Sequence, residues 1–210
     1  MTNITELWRS RDSRAWTSAL VRYWDYVQPA NLTLERELEK LDLESLKHLD
    51  ALGWYDFLLH KYFLWKYTAK NRYATTTGAL RWYAEEGRLD ELHLIKQRLL
   101  ALDMADVQHG LSVALEIKGL GTAGASGLLS LMYPQTFATV DQFVVKALRG
   151  VENLPEAVAL AKMKEESLSI KDGVRLIDIM QRKAAENNSI FGNADWTPRK
   201  VDKVLWTFGR

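Results

Sequence analysis

The chain has 210 residues, a formal net charge of +1, 47% hydrophobic and 26% charged residues. It is long enough for one domain or two small lobes sharing a core, and too apolar for wholesale disorder. It has no cysteine, which excludes disulfides, cysteine nucleophiles and cysteine-held zinc or iron–sulfur clusters. The four histidines, His48, His60, His93 and His109, show no HxxxH or HxH spacing, which argues against a histidine metal site. No apolar run reaches membrane-spanning length, and the opening MTNITELWRSRDSR lacks the apolar stretch of a signal peptide, so an intracellular protein is expected. A net charge near zero is silent about nucleic acid, because a basic face balanced by an acidic one leaves no trace in the sum.

Prolines at 29, 134, 155 and 198 punctuate segments of helical period. Trp16, Ala19, Leu20, Tyr23 and Val27 follow the i, i+3, i+4 rule, with Asp12 or Ser13 as N-cap and Pro29 as the stop. Residues 33–52 read as one or two short amphipathic helices. Residues 54–68 and 73–86 read as aromatic-rich helices joined near Ala69-Lys70-Asn71. Further helices are predicted at about 90–102, 105–117, 122–132, 141–149, 155–166 and 172–187, and a last one opens at Thr197-Pro198, a hydroxyl cap before Pro. No segment alternates with period two between turn signals. The fold class is all-α.

Gly119, Gly121, Gly124 and Gly127 crowd one stretch and fit GxGxxG, with Asp141 about twenty residues on. A dinucleotide site needs a strand before the glycines and βαβ units after them. The preceding DVQHGLSVALEIK instead has Val107, Leu111, Ala114 and Leu115 at helical spacing. The other reading is a helix, a tight hairpin Lys118-Gly119-Leu120-Gly121, and a second helix leaving from Thr122. Glycines there permit positive φ and close approach, and the free N–H groups opening the second helix suit a phosphate. On spacing alone, that reading and a plain helix–helix turn stand level.

Residues 117–149, IKGLGTAGASGLLSLMYPQTFATVDQFVVKALR, resemble the core of the helix–hairpin–helix DNA glycosylase superfamily. That family has a hairpin of the form LPGVGxxTA, an apolar helix, and a (V/L)D motif opening the next helix. Gly119-Leu120-Gly121 matches the hairpin, Ala125 the small residue after it, and Val140-Asp141 the catalytic aspartate. The resemblance implies two helical lobes around a DNA-facing cleft, one spanning 46–138 and one combining 1–45 with 139–210. It implies a monomeric enzyme that flips a damaged or modified base out of double-stranded DNA and hydrolyses its bond to deoxyribose. Either repair or defence against foreign DNA fits that chemistry.

Cleaving an N-glycosidic bond builds positive charge on the sugar, which a carboxylate stabilises while orienting water. Asp141 is the candidate; an N-cap for 142–149 is its structural alternative, and one carboxylate can serve both. Bifunctional members carry a Lys two residues beyond the second hairpin glycine. Ala123 stands there, which implies a monofunctional enzyme leaving an abasic site; a trapped covalent adduct would point to Lys66 or Lys118. No Asp or Glu occurs in 57–82, where adenine-excising members carry a glutamate. That stretch instead holds five cations, among them Lys66, Lys70 and Arg72, and seven aromatics.

DNA contacts are expected from Lys118, Gly119, Gly121, Thr122, Ala123, Gly124, Lys70, Asn71 and Lys146, and a base pocket from Trp65, Tyr62 and Trp24. No cofactor is expected, and the resemblance allows a monovalent cation on the hairpin carbonyls. Arg199, Lys200 and Lys203 lie on a terminal helix that reads as docked by Leu205, Trp206 and Phe208. A helix–hairpin–helix protein that grips DNA without cutting it is the binding-class alternative, and a nicotinamide-dependent enzyme the third.

Overall fold

Side-chain caps open eight of the fifteen α-helices among the described residues. The computed structural model describes residues 3–210, which carry α-helices and no strand. Asn3 and Glu6 close a capping box on α1 (Ile4–Arg9), a helix too short to be legible as a period. Asp12 caps α2 (Ser13–Val21) through the Arg14 N–H; the helix expected to run on to Val27 breaks at Arg22 and resumes as α3 (Tyr23–Tyr26). Next come α4 (Leu32–Leu38) and α5 (Leu43–Lys47). Asp50 caps a rod made of α6 (Ala51–Phe57), a π-helical segment Leu58–Tyr62 and α7 (Phe63–Lys66). The π turn lets the consecutive pairs Leu58–Leu59 and Tyr62–Phe63 all face inward.

The chain continues through α8 (Lys70–Glu85), α9 (Leu89–Leu100), α10 (Val107–Ala114), α11 (Thr122–Met132), α12 (Gln142–Arg149), α13 (Ala157–Lys162), α14 (Ile170–Phe191) and α15 (Pro198–Gly209). The predicted 155–166 helix shrinks to α13, because Arg149 draws the carbonyls of Leu160 and Met163 onto its guanidinium. Thr197 and Pro198 open α15 as read.

The amphipathic faces meet in two groupings. The rod packs α6 on α9, α9 on α10, and α10 on α11, with α8 against α7 and α9. On the other side α15 is the hub, covered by α2, α3, α12 and α14, and α14 also reaches α10 and α11. Trp8 packs tilted on Trp16, and Trp16 edge-on against Trp196, at that hub, with ring centroids 6.2 and 5.2 Å apart. Lys183 is buried beside them, its Nζ donating to the Trp8 carbonyl at 2.8 Å and ion-paired with Glu186. Lys96, also buried, donates to the carbonyls of Leu46, Lys47 and Leu49, satisfying the C-terminal end of α5.

Candidate functional site

α10 and α11 pack on each other and are joined by the glycine turn. Gly119 has φ +92, and a Cβ there would press into the Thr76 carbonyl oxygen and lie 3.0 Å from Phe63 Cε1. Gly121 differs: its φ of −96 and ψ of −176 are ordinary extended backbone, and a Cβ would meet open space. Only Gly119 needs glycine for its conformation. The remaining glycines serve packing. A Cβ on Gly124 would strike the Tyr67 hydroxyl, and one on Gly127 would lie 2.8 Å from that of Tyr62. Tyr62 donates to the Gly124 carbonyl and Tyr67 to that of Gly119 at 3.2 Å, so the rod clamps the hairpin.

Of the residues expected to contact DNA, Gly119, Gly121, Thr122, Ala123 and Gly124 all border one cleft. Tyr62 is fully buried and lines neither cavity beside Asp141, so its hydroxyl serves as a clamp on the hairpin. Gly124 faces the rod with its Cα. The Thr122 hydroxyl turns inward and donates to the Leu168 carbonyl at 2.7 Å. What stays open is backbone. No side chain caps α11, and the Ala125 N–H is the first to reach a carbonyl, that of Gly121. A cleft of about 600 Å³ runs past this helix start, bordered by Gly121, Ala123, Arg72 and Asp141.

Asp141 caps α12 with a single oxygen: Oδ1 accepts from the Phe143 and Val144 N–H groups at 2.9 and 3.1 Å. Among the described residues, none hydrogen-bonds to Oδ2. The segment leading to Asp141 is pinned on two sides. Ser126 Oγ, from α11, accepts the Val140 N–H at 3.0 Å. Asp202 Oδ2, from α15, accepts the Thr139 N–H at 2.6 Å. These donors are buried and would each be costly to leave unmade, so the position of Asp141 is fixed from both groupings of helices.

On the far side of Asp141 lies a second cavity of about 300 Å³, walled by Tyr23, Tyr26, Trp65, Phe143 and Trp206. The two cavities share Lys66, Thr68, Asp141 and Phe143. The floor of the second is a buried ionic cluster. Glu35 accepts from the Tyr23 hydroxyl at 2.6 Å and from Trp65 Nε1. Arg199 Nη1 donates to Asp202 at 3.0 Å and to Thr139 Oγ1 at 3.1 Å, and its guanidinium lies 5.4 Å from the Trp65 ring centroid. Burial pushes the Asp202 carboxyl up to about 6, against the pull of Arg199 and the Thr139 N–H. Burial likewise raises Tyr23, outweighing the Arg199 charge, and keeps its proton on the bond to Glu35.

Of the three residues expected to form a base pocket, Trp65 borders this cavity and Trp24 does not. It packs edge-on against Tyr23, and Tyr23 and Tyr26 line the cavity in its place. Lys118 is exposed but folds over the Trp82 ring, 4.1 Å from its centroid, and lies outside the cleft lining. Lys70 and Asn71 are exposed at the start of α8; their neighbours Ala69 and Arg72 border the cleft, while the Asn71 side chain accepts the Arg72 N–H. Lys146 is exposed one turn into α12, its Nζ 5.7 Å from the Phe143 ring centroid. The carbonyls of Ile117, Gly119 and Gly121 each accept one hydrogen bond, from Leu120, Tyr67 and Ala125. No helix among the described residues is long and apolar enough to cross a membrane.

Sequence reading missed Glu35, Ser126, Asp202 and the inward role of Arg199. One signal was present: Arg199, Asp202, Lys203, Trp206 and Arg210 recur at helical spacing as a polar–aromatic stripe beside the apolar one. Lys203 proves buried, paired with Glu39 at 2.5 Å. Compared with known proteins, the chain matches no family model, no curated protein and no solved structure.

Proposed function

We propose that this chain is a DNA N-glycosylase of the helix–hairpin–helix kind, with the two groupings of helices as its lobes. The observation that carries the reading is the division of labour at Asp141. One carboxylate oxygen is fixed by the α12 cap, and the other is free at the junction of the two cavities. The open start of α11 and Arg72 receive backbone phosphates. The flipped base enters the aromatic cavity, where Trp65, Tyr26 and Trp206 offer faces to stack on. The free oxygen of Asp141 then offsets charge developing at C1′ and orients the attacking water, leaving an abasic site.

The helix α10 before the glycines removes the strand on which the nicotinamide reading depended. A non-catalytic DNA-binding protein would use the same cleft, and Asp141→Asn separates it from an enzyme. Asn caps a helix about as well as Asp, so fold and DNA binding are retained. Base release from duplexes carrying single modified bases falls by ~100-fold or more, since a neutral amide cannot offset the charge on the sugar. Wild-type base release by this variant would refute the assignment. No release by the wild-type protein from any modified base would favour the binding protein.

A further inference from the structure

Among the buried lysines, Lys96, Lys183 and Lys203 each have carbonyl or carboxylate partners. Lys66 does not. It closes α7, lies half-buried, and its amine has no hydrogen-bond or ion-pair partner among the described residues. Its stem crosses α11 where Gly127 leaves room: a Cβ on that glycine would lie 3.3 and 3.4 Å from Lys66 Cδ and Cε. The side chain thus reaches the wall where both cavities meet and borders each of them together with Asp141. The one aromatic face near the amine is that of Trp65, its ring centroid 5.8 Å from Nζ.

We propose that Lys66 is a second catalytic residue, an amine nucleophile that condenses with C1′ of the abasic sugar and nicks the strand. This rests on the glycosylase reading for the source of the sugar. It also revises the expectation drawn from Ala123: the amine absent from the hairpin is supplied by α7. An abasic sugar opens to an aldehyde at C1′, and a neutral lysine amine forms Schiff bases with carbonyls. Burial holds the Lys66 amine below the ordinary lysine range, against the pull of Asp141, Asp202 and Glu35 and with the push of Arg199.

In the first step Nζ adds to C1′, and the aldehyde oxygen leaves as water, carrying one proton from the amine and one from solvent. The resulting iminium acidifies C2′. Its proton passes to the free oxygen of Asp141, and the electrons left at C2′ form the C2′–C3′ double bond. The C3′–O bond breaks and the phosphate departs with that electron pair. Water then hydrolyses the unsaturated imine and restores the amine. No oxidant or reductant is consumed.

The test uses a duplex in which removal of a single uracil has left an abasic site, so the natural base need not be known. The full-length protein is mixed with this DNA and sodium borohydride, and the reduced adduct is digested and mapped by mass spectrometry. The result expected is a covalent adduct on Lys66, strand nicking in the absence of borohydride, and loss of both in Lys66→Gln. No adduct, an adduct on another lysine, or undiminished trapping by folded Lys66→Gln would overturn the proposal. If Lys66→Gln fails to fold, the mapped position in the wild-type protein decides. Base release from modified duplexes is measured in parallel. Release without an adduct sinks Lys66 and leaves the glycosylase reading standing; an adduct without release from any base does the reverse.

Discussion

Gly121→Asp is expected to stabilise the protein while weakening its grip on DNA. Gly121 is the N-cap of α11, with φ −96, ψ −176 and open space where a side chain would go. Aspartate adopts that backbone without strain and can accept the Ala123 or Gly124 N–H. Replacing glycine at an N-cap adds a few tenths of a kcal/mol, and a negative charge at a helix start adds ~0.3–1 kcal/mol. Restricting the unfolded chain adds a further ~0.4–1 kcal/mol. The sum, ~1–2 kcal/mol, raises the melting temperature by roughly 2–8 °C for a chain of this size. The same carboxylate occupies the N–H groups assigned to phosphate. At ~4 Å from a phosphate it repels by ~1 kcal/mol in water and ~4 kcal/mol near a protein surface. Binding to duplex DNA, followed by fluorescence anisotropy across a salt series, should weaken by roughly 5- to 1,000-fold and lose about one phosphate contact from the salt slope. A variant that melts higher and binds DNA unchanged would show that the α11 start is not a phosphate site. One that melts lower would refute the geometry assigned to Gly121.

Three further outcomes follow from the site. Gly119→Ala, at φ +92 and against the Thr76 carbonyl, should lose ~2–6 kcal/mol in denaturant unfolding; a loss under ~0.5 kcal/mol, typical of surface positions, would contradict the turn. Ser126→Ala strips the buried Val140 N–H of its acceptor, so stability should fall by ~1–3 kcal/mol and base release should fall further than DNA affinity, because Asp141 loses its tether; equal losses in the two assays would argue against positioning. Asp202, raised by burial from 3.8 to about 6, binds its proton more tightly folded than unfolded. Its contribution to stability is therefore fully present below pH ~4 and lost as pH rises through about 6. Unfolding free energies of wild type and Asp202→Asn should diverge across that window, by on the order of 2–3 kcal/mol, and run parallel above it. A difference independent of pH would show that Asp202 titrates normally.

Much of the backbone was legible in the sequence, because helix starts and stops are local chemistry. Thr122 to Met132 and the Thr197-Pro198 start could be read directly, and Asp141 could be read as a cap, since apolar period, cap and proline all act within one or two turns. The break at Arg22, the π turn at Leu58–Tyr62 and the short α13 were not legible. Each is imposed by partners distant in sequence, as when Arg149 draws two carbonyls out of a helical pattern. The glycine cluster shows the limit most clearly. Composition alone made Gly119, Gly121, Gly124 and Gly127 look like one motif. Tertiary packing gives them separate tasks: a strained turn, an open helix start, and two seats for tyrosines from the rod. Tyr62 and Trp24 lie outside the cavity beside Asp141, and Glu35, Arg199 and Asp202 line it, because burial and charge pairing depend on which faces of distant helices meet. The sequence by itself determined where many of the helices begin and that Asp141 caps a helix twenty residues beyond Gly121. Only the tertiary structure decided that one oxygen of that carboxylate stays free and that Lys66 stands beside it. Those facts depend on contacts between residues up to 63 positions apart, which no local pattern encodes.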